Sequence, residues 1–446
     1  MNIARKKEVI ELLLGDFVVF FISLYLTLTV RYSALPTRDI LSIHILPFSL
    51  LFITWVMISF IAGLYEKHTL ILKRRLPAIL TRVQVANATI SIALFYFIPY
   101  FNITPKFVLF MYLAISLIIM VAWRMAIAET LGLRRKTKAL LIARKNTEVS
   151  DLYHEINNNY RYGTSFVEWI DTTSTLSSED IMNRVRSQGV SLVVADFADP
   201  RVNNIMPVLY KLIFSGVQFG DIQKVYEEIF DRVPLSLVND TWFLENVSSS
   251  TKSSFDIFKR LMDIIISAIL GLISIVIYPF VYLAIKIEDG GVLFSYQDRV
   301  GQSNNTVRIV KFRTMTVAND GGKWGSKENK VTKVGNFLRK SRIDELPQLW
   351  NVFRGDVSLI GPRPEFAEAV TTYSTDIPYY NIRHIVKPGL SGWAQIYGKH
   401  PHHGIDTEET SDKLSHDLYY IKNRSILLDL KIALQTLKVL LSFVGR

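Results

Sequence analysis

Hydrophobic residues crowd the first third of the chain into four long runs, at about 9–30, 41–64, 78–100 and 107–127. Each run is long enough to cross a hydrocarbon core of roughly 30 Å as a helix. The basic residues between them are unevenly shared. Arg5, Lys6 and Lys7 precede the first run, Lys67, Lys73, Arg74 and Arg75 separate the second from the third, and Arg134, Arg135, Lys136 and Lys138 follow the fourth. The other two connections hold only Arg31 and Arg38, and then Lys106. Short cytoplasmic loops carry the excess of Lys and Arg, so both ends of a four-helix bundle are expected in the cytoplasm. The opening M-N-I-A-R-K-K-E leads into the first run without a small-residue cleavage site, which reads as a retained span. Asp16, inside that run, is expected to face a neighbouring helix or to snorkel toward the interface.

From about 137 to 245 the apolar segments shorten and alternate with helix-like stretches. K-A-L-L-I-A (138–143), F-V-E-W-I (166–170), S-L-V-V-A-D (191–196) and V-Q-F-G-D-I (217–222) read as short buried strands. Segments near 147–158, 178–187 and 201–214 read as the helices between them, the pattern of a small parallel sheet. The turn after the first strand, A-R-K-N-T-E (143–148), has no glycine. Without one the backbone cannot approach a pyrophosphate, so the dinucleotide fingerprint is missing and a structural or regulatory role is expected.

A fifth apolar stretch, 261–286, is long enough to span, but a fifth crossing would put the rest of the chain outside the cell. Lys259 and Arg260 precede it, and Lys286, Arg299, Arg308 and Lys311 follow it, so both flanks carry the cytoplasmic sign. Pro279 lies within the run and removes a backbone donor. The expectation is a re-entrant helix that bends near Tyr278–Pro279 and returns to the same face, tolerable where protein or headgroups satisfy the freed backbone.

Composition agrees with a membrane protein: 49% of residues are hydrophobic and only 20% charged. The net charge of +11 suits anionic lipid and an anionic substrate such as a nucleotide diphosphate. The absence of cysteine excludes disulfides, zinc-thiolate sites and thiol nucleophiles.

Past the membrane run, S-Y-Q-D-R-V-G-Q (295–302) and V-R-I-V-K-F-R-T-M (307–315) alternate around Gly301 and Asn304–Asn305, which predicts a hairpin. Arg299, Lys311 and Arg313 on it either project toward a phosphate or form a solvated basic strand beside anionic headgroups. The densest stretch is L-R-K-S-R-I-D-E-L-P-Q-L-W-N-V-F-R-G-D-V-S-L-I-G-P-R-P (338–364). Ser341 followed by Asp344 has the spacing of a capping box, placing Asp344 and Glu345 in the first turn of a helix where its dipole keeps them ionised. Two adjacent carboxylates suit magnesium-assisted phosphoryl chemistry, one holding the metal while the other attacks phosphorus. Acidic pairs at helix starts also serve as plain caps.

This stretch resembles the signature of the bacterial sugar transferases, or monotopic phosphoglycosyl transferases. K-F-R-T-M (311–315), V-T-K-V-G-N-F-L-R-K (331–340), K-P-G-L-S-G-W-A-Q-I-Y-G (387–398) and D-L-Y-Y-I-K-N-R-S-I-L-L-D-L-K-I (417–432) are similar to its flanking motifs. The resemblance covers about 252–446, and with the preceding bundle and α/β domain it extends to the large subgroup that initiates exopolysaccharide, O-antigen or capsule repeat units. It implies that Asp344 is the nucleophile and Glu345 the Mg2+ ligand. It implies that Arg339 and Arg363 bind donor phosphates, and that Pro279 breaks the re-entrant helix. The implied reaction moves a sugar-1-phosphate from a UDP-sugar to undecaprenyl phosphate, releasing UMP, through a covalent aspartyl intermediate. The implied setting is the cytoplasmic face of the inner membrane, with downstream glycosyltransferases as partners and a homodimer compatible; no nucleic acid is expected.

The expected architecture is a membrane α-helical bundle at 1–132, a small Rossmann-like α/β domain at 133–250, and an α+β monotopic catalytic domain at 251–446 with its re-entrant helix at 256–287. H-P-H-H (400–403) is expected to be an exposed loop, a proline-interrupted run being a poor metal site. The last twenty residues are expected to form an amphipathic helix on the bilayer or on the catalytic domain. A nucleotide-sugar epimerase or dehydratase needs a Gly-rich turn and Tyr-x-x-x-Lys, and the one such spacing noted, Tyr282 with Lys286, lies in the membrane run. An inactive scaffold for polysaccharide assembly remains the other reading, against which the intact acidic pair speaks.

Overall fold

The computed structural model describes residues 6–65, 76–97, 106–132, 136–159, 162–174, 177–247, 253–316, 330–398 and 406–441. The basic residues Arg5, Lys67, Lys73, Arg74, Arg75, Arg134 and Arg135, and the 400–403 segment, lie outside them. The chain divides into two compact units, Met1–Ile229 and Phe230–Arg446.

In the first unit the four apolar runs are helices: α1 (Lys6–Tyr32), α2 (Arg38–Ile61), α3 (Leu76–Phe97) and α4 (Lys106–Gly132). Among the described residues these are the four unbent helices long and apolar enough to cross a membrane. Ile10, Leu14, Val18 and Ile22, one helical turn apart, are exposed along α1, as lipid-facing residues are. The inward faces meet in an aromatic core of Phe20, Phe48, Phe52, Trp55 and Tyr112. With no water to serve them, the polar groups inside pair with each other: Trp55 Nε1 donates to Ser91 Oγ (3.0 Å) and Gln84 Nε2 to Ser116 Oγ (2.8 Å). Asp16 faces a neighbouring helix. It is buried against Arg124 of α4, which donates to Asp16 Oδ2 and to the Leu64 carbonyl (3.1 Å), while Tyr65 donates to the same Oδ2 (2.7 Å).

The remainder of this unit is a four-stranded parallel sheet in the order β2-β1-β3-β4, built from β1 (Thr137–Ile142), α5 (Thr147–Asn158), β2 (Thr164–Ile170), α6 (Ser178–Gln188), β3 (Leu192–Ala195), α7 (Met206–Ile213), β4 (Gln218–Asp221) and α8 (Ile222–Phe230). Strands β1 and β3 are central and covered on both faces, which is why they read as continuous apolar runs. In the glycine-free turn, Asn146 caps α5 by accepting from Val149 N (2.7 Å), and the Ala143 carbonyl accepts from Trp169 Nε1 (3.0 Å).

The second unit begins twenty residues before the expected boundary at 250. Val233, Trp242, Phe243 and Val247, around α9 (Asp240–Asn246), share a core with Tyr373, Tyr380, Trp393 and Leu418. The following elements are α10 (Ser253–Ile275), α11 (Tyr278–Asp289), β5 (Phe294–Val300), β6 (Thr306–Phe312), α12 (Lys333–Lys340), α13 (Gln348–Arg354), β7 (Ser358–Ile360), α14 (Ala367–Asp376), β8 (Gly389–Ser391), α15 (Trp393–Tyr397), α16 (Thr407–Asn423) and α17 (Ile426–Leu441). Strands β5 and β6 form the expected antiparallel hairpin, and β7 pairs in parallel with β8.

Helices α10 and α11 are one apolar segment bent by 52°, with Pro279 in the first turn of α11, where its missing N–H costs nothing. Both limbs pack on the same unit. On α10, Arg260 donates to the Val352 and Phe353 carbonyls (2.7 Å each) at the end of α13, and Asp263 accepts from Leu359 N (3.1 Å). On α11, Val281 and Ile285 pack with Phe312 and Leu338. Leu272, Ile273, Val276 and Phe280, at the bend, are exposed. Helix α17 packs on this unit through Ile432 and through Asp429, which pairs with Lys259 at 2.5 Å, leaving Leu427 and Leu430 outward.

The Asp16–Arg124 pair generates a prediction. Removing one member of a buried pair strands the other, at about 3–5 kcal/mol, whereas apolar replacement of both is often neutral. Asp16→Leu or Arg124→Leu alone is expected to lower the thermal stability of the purified protein sharply, and the double replacement to recover most of it. Thermal unfolding in detergent checks this, and a double variant as unstable as either single one contradicts it.

Candidate active site

The acidic pair sits where α12 ends and α13 has not begun. Ser341 does not cap a helix N-terminus as its spacing predicted. It closes α12, its hydroxyl donating back to the Phe337 carbonyl (2.8 Å). Arg342 then takes a left-handed conformation (φ 57°), and Ile343–Glu345 forms a single 3-10 turn before α13 starts at Gln348. A left-handed conformation is uncommon for a residue other than glycine. It reverses the chain so that Asp344 and Glu345 face the β5–β6 hairpin.

Three cations meet on Glu345 Oε1: Lys311 Nζ from β6 at 3.2 Å, Arg363 Nη2 from the loop after β7 at 3.3 Å, and Arg342 Nη1 at 3.8 Å. Burial pushes the Glu345 carboxyl up, but Arg363, Lys311 and Arg342 together outweigh it and hold it at about 2. It is ionised at every working pH. Asp344 has the opposite environment. It is 7% exposed, and its Oδ1 has no hydrogen-bond partner. Burial, then the neighbouring Glu345 charge, raises its carboxyl above the ordinary range, only partly offset by Lys311, Arg339 and Arg342. Two adjacent carboxylates driven apart in this way can take different roles.

The supports are local. Asn351 of α13 donates to the Arg308 carbonyl (2.8 Å) and accepts from Val310 N (3.1 Å), fixing β6, and hence Lys311, against the acidic turn. Thr332 caps α12 through Gly335 N (2.8 Å), and Glu288 of α11 accepts from Lys333 N and Val334 N. A side chain at Gly335 would lie 2.0 Å from the Thr314 carbonyl, so glycine is required for α12 to reach this position. Arg339 is then pinned by Nε to Thr314 Oγ1 (2.9 Å) within electrostatic reach of Asp344.

Of the residues expected from sequence, Asp344, Glu345, Lys311, Arg363 and Arg339 come together. Arg299 lies at the margin. It is stacked on the Phe366 ring at 3.4 Å, bonded to Gln297 (2.8 Å), and lowered to about 10 by burial. Arg313 is a correction. It is 6% exposed and is not gathered with the others: it pairs with Asp289 and donates to the Val292 carbonyl (2.9 Å), so it ties the end of β6 to the end of α11. Arg342 and Asn351 were missed. Arg342 lies two residues before Asp344 in sequence, but nothing in the pattern shows its left-handed turn.

Among the described residues no group of three or more carboxylate or imidazole side chains forms a closed metal cage. Asp344 and Glu345 fit an open Mg2+ site, in which one or two carboxylates are completed by substrate oxygens and water. The Asp344 carboxylate, whose Oδ1 has no hydrogen-bond partner, keeps lone pairs for a metal or for a phosphorus.

A family model described as bacterial sugar transferase matches residues 254–443. The chain is 40% identical over 265 residues to a UDP-N-acetylgalactosamine-undecaprenyl-phosphate N-acetylgalactosaminephosphotransferase of Aeromonas hydrophila, covering 57% of this chain and 59% of that one. It is 39% identical over 191 residues to a UDP-glucose:undecaprenyl-phosphate glucose-1-phosphate transferase of Caulobacter vibrioides (42% and 71%). It is 40% identical over 188 residues to the uncharacterized sugar transferase EpsL of Bacillus subtilis (42% and 89%). The chain thus spans about three fifths of the Aeromonas relative and larger shares of the other two.

The raised Asp344 carboxyl makes a stability prediction. A carboxyl whose folded pKa exceeds its unfolded value favours folding below the unfolded pKa and loses that contribution as pH rises through the folded one. Ionising the group therefore costs stability. Asp344→Asn is expected to melt at or above the wild-type temperature at pH 7.5, the difference closing as pH falls toward 3.8, the ordinary value. A variant that melts well below wild type at pH 7.5 contradicts this.

Proposed function

This chain belongs to the bacterial sugar transferase family, and we propose that it transfers a sugar-1-phosphate from a UDP-sugar to undecaprenyl phosphate, releasing UMP and leaving a polyprenyl-diphospho-sugar. The observation that carries the reading is the pairing of Asp344, buried with an unpartnered Oδ1, with Glu345, ionised under three cations.

Two transfers account for the residues. A carboxylate oxygen of Asp344 bonds to the sugar-bearing phosphorus of the donor as the bond from that phosphorus to the bridging oxygen breaks, and UMP leaves with the electron pair. An oxygen of undecaprenyl phosphate then attacks the same phosphorus from the vacated side, and Asp344 departs as the carboxylate. The covalent step divides one difficult displacement into two. Arg339, Arg363 and Lys311 orient the diphosphate and neutralise charge that builds on its oxygens, Arg363 by its planar fork. Mg2+, held by Glu345, neutralises further phosphate charge when bound. Arg299 sits behind Arg363 and adds positive field.

The packing of both limbs of the bent α10–α11 segment on one unit supports a re-entrant hairpin, because a true crossing would carry one limb away from that unit. With the basic flanks, this supports a catalytic unit on the cytoplasmic face of the inner membrane, where nucleotide sugars are supplied. There the polyprenyl phosphate headgroup meets the site without leaving the interface. The product starts a surface polysaccharide repeat unit, which downstream glycosyltransferases extend.

The test is a panel of UDP-sugars incubated with undecaprenyl phosphate and Mg2+, scored by UMP release. One or a few donors are expected to turn over, with Asp344→Asn and Glu345→Gln at background, a loss of about 10³-fold or more for groups acting directly in the chemistry. No UMP from any donor, or unimpaired turnover by Asp344→Asn, sinks the reading.

A further inference from the structure

The D-L-Y-Y segment of α16 (417–420) supplies none of the cations that meet on Glu345. Its Asp417 is 1% exposed and pairs at 2.7 Å with Arg383, itself 2% exposed, in the 3-10 turn Tyr380–Ile385. Arg383 also donates to Tyr380 OH (2.6 Å) and, through Nη2, to the backbone carbonyl of Arg363 (3.1 Å). No solute reaches a guanidinium buried this deeply, so its charge does not serve a ligand directly. Burying an ion pair is costly, and such a pair is weak evidence for stability. What it does hold is the backbone of the one loop that supplies Arg363.

That loop is fixed carbonyl by carbonyl. Pro362 O accepts from Gly389 N (2.9 Å), Arg363 O from Arg383, Pro364 O from Arg299 Nη1 (3.3 Å), and Glu365 O from Val300 N (2.9 Å). Glu365 in turn receives Lys413 of α16 at 2.6 Å. Side chains at Gly361, Gly389 or Gly392 would fall within 2.5 Å of facing backbone, so the strands beneath the loop have no slack. Arg363 leaves this frame and reaches Glu345 Oε1 at 3.3 Å.

We propose that Arg383, held by Asp417, is a positioning residue: its bond to the Arg363 carbonyl fixes the backbone from which the Arg363 guanidinium meets Glu345 and the donor phosphates. The inference rests on the reading of that cluster as a diphosphate site. Lysine at 383 keeps the charge but cannot span Asp417, Tyr380 and the Arg363 carbonyl together.

The test is a double-mutant cycle in the full chain, joining Arg383→Lys with Arg363→Ala, and a second joining Asp417→Asn with Arg363→Ala, in case the lysine variant does not give a cooperative melt. Each is read as kcat/KM for the UDP-sugar and, without turnover, as the Kd of magnesium pyrophosphate. Arg383→Lys or Asp417→Asn alone is expected to weaken both readouts about 10-fold, and to add less than about 2-fold once Arg363 is alanine, as groups acting through one partner do. Full additivity in both cycles, or single variants within about 2-fold of wild type, overturns the proposal and leaves the pair a purely structural one. Wild-type protein that binds pyrophosphate but releases no UMP from any UDP-sugar counts against the transferase reading alone, and the pyrophosphate cycle still decides the role of Arg383.

Discussion

Glu345 Oε1 receives Lys311, Arg342 and Arg363 from three separate segments, and this convergence constrains the catalytic unit more than any other contact. Each cation needs its own support. Lys311 needs β6 held to α13, which Asn351 does. Arg342 needs a left-handed turn, and Arg363 needs a loop whose successive carbonyls are all engaged. Four cations, Lys311, Arg339, Arg342 and Arg363, around only two carboxylates give the cluster excess positive potential, the natural complement of a diphosphate. The same field explains the division of labour within the acidic pair. Glu345 lies at the focus and stays ionised, while Asp344, buried one residue earlier, keeps a free oxygen.

The membrane segment is built into this arrangement as well. Arg260 and Asp263 of α10 bond to the end of α13 and to β7, on either side of the turn that leads to Arg363. Glu288, at the far end of α11, caps the helix that carries Arg339. The bent segment therefore braces from behind the stretches of chain that carry Arg339 and Arg363.

Much of this was legible in the sequence because the signals were local. Apolar runs of membrane length, strands of four to seven residues between helices, the hairpin around Gly301, and Pro279 at the bend each follow from periodicity or backbone chemistry at the residues themselves. Asp344 and Glu345 stood out through the motif around them. The failures were tertiary. Ser341 has the composition and spacing of an N-cap, but helix α12 runs into it from behind and takes its hydroxyl as a C-terminal partner. Arg313 lies two residues from Lys311 and so shares its face of the strand in an ideal pleat, yet β6 has ended by then and Asp289 claims the guanidinium. The boundary at 250 was drawn at a change of composition, whereas Val233, Trp242 and Phe243 belong by packing to the unit that follows. Nor does any pattern pair Asp16 with an arginine 108 residues away.

The central claim, that Asp344 itself takes the sugar phosphate, is met most directly by mass spectrometry of the wild-type protein incubated with its UDP-sugar and Mg2+ but no lipid acceptor. Covalent transfer releases about one UMP per enzyme and leaves a protein heavier by one sugar phosphate. The added mass should map to the peptide containing Asp344 and disappear when undecaprenyl phosphate is supplied. No adduct, together with UMP release only when both substrates are present, would contradict it and favour direct transfer within a ternary complex.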